Sequence, residues 1–273
     1  MPRIHTTGYH TGWAERFCPA DKIAEMAALI ESLVEASTTG NQPSGVEVSV
    51  RSYGTKWTFM ENLCRHSPRL QQWLLEEEPA RLAQSVMQTS DLWLLRDQTY
   101  FKEPGSEHTP WHQDAIFIPV DGCEFLTIWI PLTPVCGPQD APLEYWLSPN
   151  PATHWLSGGS DKRPFETLPQ TWGAEGWQHH STQGLSAGSC AFHSGFTVHG
   201  SGCHSGAQAR KAFVVVYGAG EGQLKLKPAM AGGCPSDLRD QVWLLRSVLH
   251  ESCFAGLDEG DPVPSFQQPW LRP

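Results

Sequence analysis

Between positions 21 and 36 the apolar residues Ile23, Met26, Ala27, Ile30, Leu33 and Val34 recur three and four apart, which gives one buried side along a helix. Ser67-Pro68 opens a second helical stretch carrying Leu70, Trp73 and Leu74, and Pro79 starts a third that runs to about Met87. After Ser90 the pattern changes to short β-prone runs separated by Pro and Gly turns: residues 92–95, 98–102, 115–119 and 125–131, continued by 143–147, 190–193, 196–199 and 209–217. Leu238, Val242, Leu245 and Leu249 restore a helical period over 238–254.

Strands in the centre with helices at both ends predict a mostly β chain with flanking helices. The architecture is a double-stranded β-helix, a jelly-roll, cupin-like barrel. We expect one domain over 1–273. Residues 1–90 form a helical flank, 91–218 the barrel core, and 219–273 a C-terminal helix and Pro-rich tail. Residues 148–185 are rich in Gly, Pro, Trp and His without a sustained period, which suits a lid-like insertion over the barrel mouth.

Composition narrows the class of partner. A hydrophobic fraction of 40% and a charged fraction of 18% are those of a folded globular chain, and no apolar run is long enough to span a bilayer. A net charge of −10 with only 19 Lys plus Arg disfavours nucleic acid, whose phosphates need clustered cations. A small-molecule partner is expected, and the oligomeric state stays open. The first thirty residues carry no secretory signal pattern, so the expected compartment is the cytoplasm. The eight cysteines stand singly with no C-x-x-C pair, which favours reduced thiols and disfavours a structural zinc site.

His112-Gln113-Asp114 lies between a turn-prone segment and an apolar run, the place for a site at a barrel rim. Residues two apart on an extended strand face the same way, so an imidazole and a carboxylate turn inward together. Two imidazoles and one carboxylate on one face of an octahedral iron leave three positions open, enough for a bidentate oxoacid and dioxygen. The missing ligand is a distant histidine, for which His193, His199 and His204 are candidates.

The later segment from Ser189 through His193 to His199-Gly-Ser-Gly, followed by the run from Ala209-Arg210 to Tyr217, makes the sequence resemble the phytanoyl-CoA dioxygenase family. In that family a W-H-Q-D-like segment supplies two ligands, an H-G-S-G segment supplies the third, and an Arg follows eleven residues later. Arg210 stands eleven residues after His199, so the resemblance selects His199 over His193 and His204. It implies that His112, Asp114 and His199 hold iron(II). It also implies that Arg210 pairs with the far carboxylate of 2-oxoglutarate through a bidentate guanidinium fork, with Lys102, Gln98 and Trp129 as further co-substrate contacts. The resemblance covers about residues 91–218. The segment Leu143-Glu-Tyr-Trp-Leu-Ser-Pro-Asn departs from the family's usual run, which puts any role for His154 in doubt.

The implied activity is an iron(II)- and 2-oxoglutarate-dependent dioxygenase that consumes O2, releases succinate and CO2, and abstracts a hydrogen atom from a small organic substrate. Hydroxylation is the default outcome, with desaturation, cyclisation or epoxidation as alternatives. Halogenation is disfavoured because the carboxylate ligand is retained, and a CoA thioester is disfavoured because the insertion holds only Lys162 and Arg163 as cations. Trp155, Trp172 and Trp177 are candidate substrate contacts, each equally readable as packing of the insertion. The rivals are a non-catalytic ligand-binding jelly roll and a serine hydrolase, the latter lacking a Gly-x-Ser-x-Gly elbow.

Overall fold

The computed structural model describes residues 2–38, 57–149, 175–226 and 249–263, with the isolated positions 173, 246 and 247. A seven-stranded sheet has the order β1 (Arg3–Gly8), β2 (Thr11–Glu15), β10 (Cys190–Ser194), β7 (Glu124–Pro131), β12 (Arg210–Ala219), β4 (Leu92–Lys102), β3 (Trp57–Glu61). Facing it is a four-stranded sheet of β5 (Thr109–His112), β11 (Val198–Ser201), β8 (Leu143–Leu147) and β9 (Gln178–Ser181). A small third sheet joins β14 (Pro262–Val263), β13 (Gly222–Leu224) and β6 (Val120–Asp121). Every pairing is antiparallel.

The period of two along the central strands sorts their side chains between two cores. Leu126, Ile128, Ile130, Phe192, Phe213 and Val215 face outward and are covered by α1 (Ala20–Thr38), α2 (Pro68–Glu76) and α3 (Glu78–Met87). Ile23, Met26 and Ile30 of α1 and Trp73 of α2 enter this layer. Ser67 caps α2 by accepting a hydrogen bond from the Leu70 amide at 3.2 Å, with Pro68 in the first turn. Inward, Phe125, Trp129, Ala191, Val214 and Val216 meet Leu143 and Tyr145 of the facing sheet. The result is the expected jelly roll with helices on one side.

The helical flank expected over 1–90 also contains three strands. β2 pairs with residues 190–192, and β3 pairs with 98–102, so both edges of the large sheet come from this part of the chain. In β2 the buried residues are Thr11, Gly12 and Ala14, too small and polar to produce an apolar alternation. Main-chain pairing holds the hairpin instead. At Gly12 the strands run so close that a Cβ would lie 1.9 Å from the His5 carbonyl oxygen.

Two further boundaries differ. β4 unites the runs 92–95 and 98–102, with a register shift where Val216 pairs with Arg96 and Tyr217 with Leu94. That bulge passes the inner face from Trp93 and Leu95 to the even-numbered residues Gln98, Tyr100 and Lys102. The strand expected over 115–119 is replaced by a 3-10 turn at Asp114–Ile116, fixed by Ala115 N–H to the Gly195 carbonyl (2.9 Å) and Phe117 N–H to that of Asp114 (3.0 Å).

Residues 249–253 are helical, and Leu249, Cys253 and Phe254 seal the inner core. Leu238, Val242 and Leu245, most of the insertion with His154, Trp155, Lys162, Arg163 and Trp172, and the tail beyond 263 lie outside the described residues. Among the described residues no helix is long and apolar enough to cross a membrane.

Candidate functional site

His112 ends β5 and is the register partner of His199 on β11, with ring centroids 4.1 Å apart. Gln113 stays extended at φ −120° and ψ 130°, so Asp114 turns to the same side as His112 before the chain curls. The Nδ1 of His112 lies 2.8 Å from the Pro110 carbonyl, and that of His199 lies 3.0 Å from the Thr197 carbonyl. A carbonyl only accepts, so each Nδ1 carries the proton and each Nε2 presents a lone pair. Both Nε2 atoms are 3.7 Å from Asp114 Oδ1, and one donor atom from each of the three residues falls within 4.8 Å of the others.

The rival histidines are spoken for. His204 has Nδ1 on the Gln139 carbonyl at 2.9 Å and Nε2 on that of Gln208 at 2.7 Å. His193 is buried beside the centre, but its Nε2 meets Asp114 Oδ2 at 3.3 Å and its Nδ1 meets the Tyr145 hydroxyl at 3.2 Å. Thr127 donates its hydroxyl to the same Oδ2 at 2.7 Å. Gln113, between His112 and Asp114 in sequence, donates to the Phe196 carbonyl at 2.5 Å.

Electrostatics suit cation capture. Burial alone would raise the Asp114 carboxyl, yet His199, the hydrogen bond from His193 and His112 together hold it well below the ordinary carboxylate value. His112 and His199 are each pushed down to about 4, first by burial and then by a neighbouring imidazole. In the unfolded chain a histidine takes its proton near pH 6.5. Between pH 6.5 and 4 the unfolded state therefore binds more protons, and stability falls with pH. Asp114, with a depressed folded value, loses its contribution only below that window. We expect the melting temperature of metal-free protein to drop from pH 7 to pH 4, and His199→Asn to flatten the slope. A flat profile for the parent protein would contradict this assignment of neutral imidazoles.

Arg210 opens β12 opposite Lys102 of β4, and its guanidinium carbon lies 5.5 Å from the Trp129 ring centroid. The side chain is buried and its Nε has no hydrogen-bond partner. Burial pushes its pKa down to about 10, with Tyr100 acting in the opposite direction, so it remains a cation with a free donor. Lys102 is occupied: Nζ donates to Ser201 Oγ (2.7 Å) and to the carbonyls of Glu107 and Gly202 (both 3.1 Å), and it lies 4.5 Å from the Trp57 ring centroid. Burial and then Arg210 push its pKa down to about 6. Gln98 donates to Glu61 at 2.6 Å, and Glu61 also takes Arg96 at 3.1 Å.

Trp177 packs with Trp111, Trp146 and Val198 and borders a cavity of about 240 Å³ that reaches Gln113, Phe196 and Thr197. A larger cavity, about 870 Å³, lies between the N-terminal hairpin and residues 180–189, with Tyr145 and Ala191 as its barrel-side lining. Sequence reasoning singled out His112, Asp114, His199 and Arg210, and the structure brings the first three together. That reasoning missed Thr127, Tyr145 and Ser201, and met His193 only as a rival ligand. Their roles depend on which strands are neighbours.

The sequence profile of the phytanoyl-CoA dioxygenase family matches residues 13–212. Among solved structures, the non-haem α-ketoglutarate-dependent carbocyclase SnoK from nogalamycin biosynthesis superposes with a TM-score of 0.65 at 18% identity, covering 94% of this chain and 90% of that one. The epimerase SnoN from the same biosynthesis gives 0.63 at 20% identity, covering 94% and 91%. EvdO2 from Micromonospora carbonacea var. aurantiaca, complexed with 2-oxoglutarate, gives 0.54 at 15% identity, covering 88% and 98%. At these identities the likeness establishes a shared fold. No curated protein sequence matched.

Proposed function

Because the chain belongs to the phytanoyl-CoA dioxygenase family, we propose that it is an iron(II)- and 2-oxoglutarate-dependent dioxygenase that hydroxylates a small organic molecule and releases succinate and CO2. The observation that carries the reading is the convergence of His112, Asp114 and His199, two neutral imidazoles and one carboxylate, with donor atoms within 4.8 Å. That donor set fits iron and leaves half of an octahedral shell open. The unpartnered Nε of buried Arg210 fits the far carboxylate of the oxoacid, with Trp129 beside it. Iron held there supplies oxidative decarboxylation of the oxoacid and removal of a hydrogen atom from the substrate.

The protein's own share is positioning and charge balance. Iron(II) and Arg210 bring three positive charges, and Asp114 and the oxoacid dianion bring three negative ones, so these groups balance one another. A neutral buried set avoids the cost of an uncompensated charge. Trp177, Trp155 and Trp172 stay as candidate substrate contacts, and Gln98 as a co-substrate contact held in place by Glu61. Ring closure is the second reading of the outcome, supported by SnoK, a carbocyclase on this fold. The chain acts as one domain over 1–273. A cytoplasmic setting agrees with the described cysteines, all seven of which are free.

The test is anaerobic titration of iron(II)-loaded protein with 2-oxoglutarate. A weak visible charge-transfer band that saturates, and is lost in His199→Ala, is expected. Its absence from folded, iron-bound protein would move the assignment to a non-catalytic ligand-binding jelly roll.

A further inference from the structure

The Asp114 carboxylate is one point at which the two sheets of the barrel are tied together. Its Oδ1 faces the two Nε2 atoms supplied by the four-stranded sheet. Its Oδ2 faces the seven-stranded sheet, where Thr127 and His193 are direct register partners on β7 and β10. Thr127 donates at 2.7 Å. A carboxylate only accepts, so Nε2 of His193 carries a hydrogen and donates to Oδ2, while its Nδ1 lies 3.2 Å from the Tyr145 hydroxyl. Burial holds the Tyr145 phenol well above its ordinary pKa, which keeps that hydroxyl protonated. With both nitrogens engaged, His193 is not available as a ligand although its ring centroid is 4.1 Å from that of His199.

Resting on the metal-site reading above, we propose that Thr127 and His193, the latter oriented by Tyr145, are positioning residues that hold Asp114 to one-oxygen coordination of the metal. Two donors occupy the lone pairs of Oδ2 and leave Oδ1 alone turned towards the imidazoles. The consequence concerns coordination number. An octahedral metal with three single-atom protein ligands keeps three positions, two for the oxoacid and one for dioxygen. A carboxylate free to swing and chelate through both oxygens would take one of them. The hydrogen bonds therefore protect the oxoacid's place as well as the metal's affinity.

The experiment compares His193→Phe, His193→Gln and Thr127→Val with the parent protein. It reads the dissociation constant of Co(II) by competition with a chromophoric chelator, the affinity of the iron(II)-loaded protein for 2-oxoglutarate, and the melting temperature without metal. His193→Phe and Thr127→Val are expected to weaken metal binding about 10- to 100-fold. They are also expected to weaken 2-oxoglutarate binding when the metal site is saturated, with melting temperatures near the parent's. His193→Gln, whose amide can still donate to Oδ2, is expected to recover most of both affinities. Parent-like binding of metal and oxoacid in His193→Phe and Thr127→Val would overturn the proposal, as would failure of His193→Gln to rescue. Weakened metal with unchanged oxoacid affinity at saturation would overturn the one-oxygen lock. A parent protein that bound neither Co(II) nor iron(II) would instead overturn the proposed function on which this rests.

Discussion

Asp114→Ala protein is expected to bind iron(II) at least about a hundredfold more weakly than the parent, since loss even of a residue that only orients a ligand costs 10- to 100-fold. The substitution removes the one anionic donor of the set and leaves a dication facing two neutral imidazoles. It also strands the Thr127 hydroxyl and the His193 ring, which both meet Asp114 Oδ2 in a buried setting, and unsatisfied buried donors carry their own cost. Anaerobic competition against a chromophoric chelator measures the change directly. Unaltered affinity and stoichiometry would mean that the metal is held elsewhere.

Arg210→Ala is expected to leave iron affinity intact while raising the dissociation constant for 2-oxoglutarate roughly 30- to 4000-fold. Removing one member of a buried, hydrogen-bonded charge pair costs about 2–5 kcal/mol, with each 1.4 kcal/mol worth tenfold. The guanidinium is buried at the head of β12 with an open Nε, while the neighbouring Lys102 amine is committed to Ser201, Glu107 and Gly202. Among the described residues no uncommitted cation stands beside it to replace it. Arg210→Lys should recover only part of the affinity, because a point charge cannot reproduce the fork. Titration of the charge-transfer band distinguishes the cases, and an unchanged midpoint in Arg210→Ala would remove the residue from co-substrate binding.

The part of this site that could be read from local geometry is the first pair: His112 and Asp114 share a face because two residues span one strand repeat. His199 and Arg210 were picked out by the family resemblance, since they lie on strands of different sheets. Helices α1, α2 and α3 announced themselves through apolar periodicity because one side of each packs on the sheet. The first hairpin was silent, since an edge pair anchored by main-chain bonds needs no apolar stripe. The run 115–119 misled because its apolar residues serve a turn that aims Asp114 inward. Thr127, His193 and Tyr145 come from three strands whose adjacency depends on register, and nothing in their spacing along the chain ties one to another.

The strand order also sets a timetable. The centre of the large sheet joins β7 and β4 to opposite sides of β12, so β4 waits for the last long strand to leave the ribosome before it has a partner there. β2 waits for β10, and His112 for the His199 opposite it. Such non-local pairing is slow, and its intermediates carry unpaired edges. On the proposed ligand set, metal is not captured early to guide assembly, because His112, Asp114 and His199 come together only when most of the barrel already exists. The order of the strands along the chain thus places metal capture late in folding.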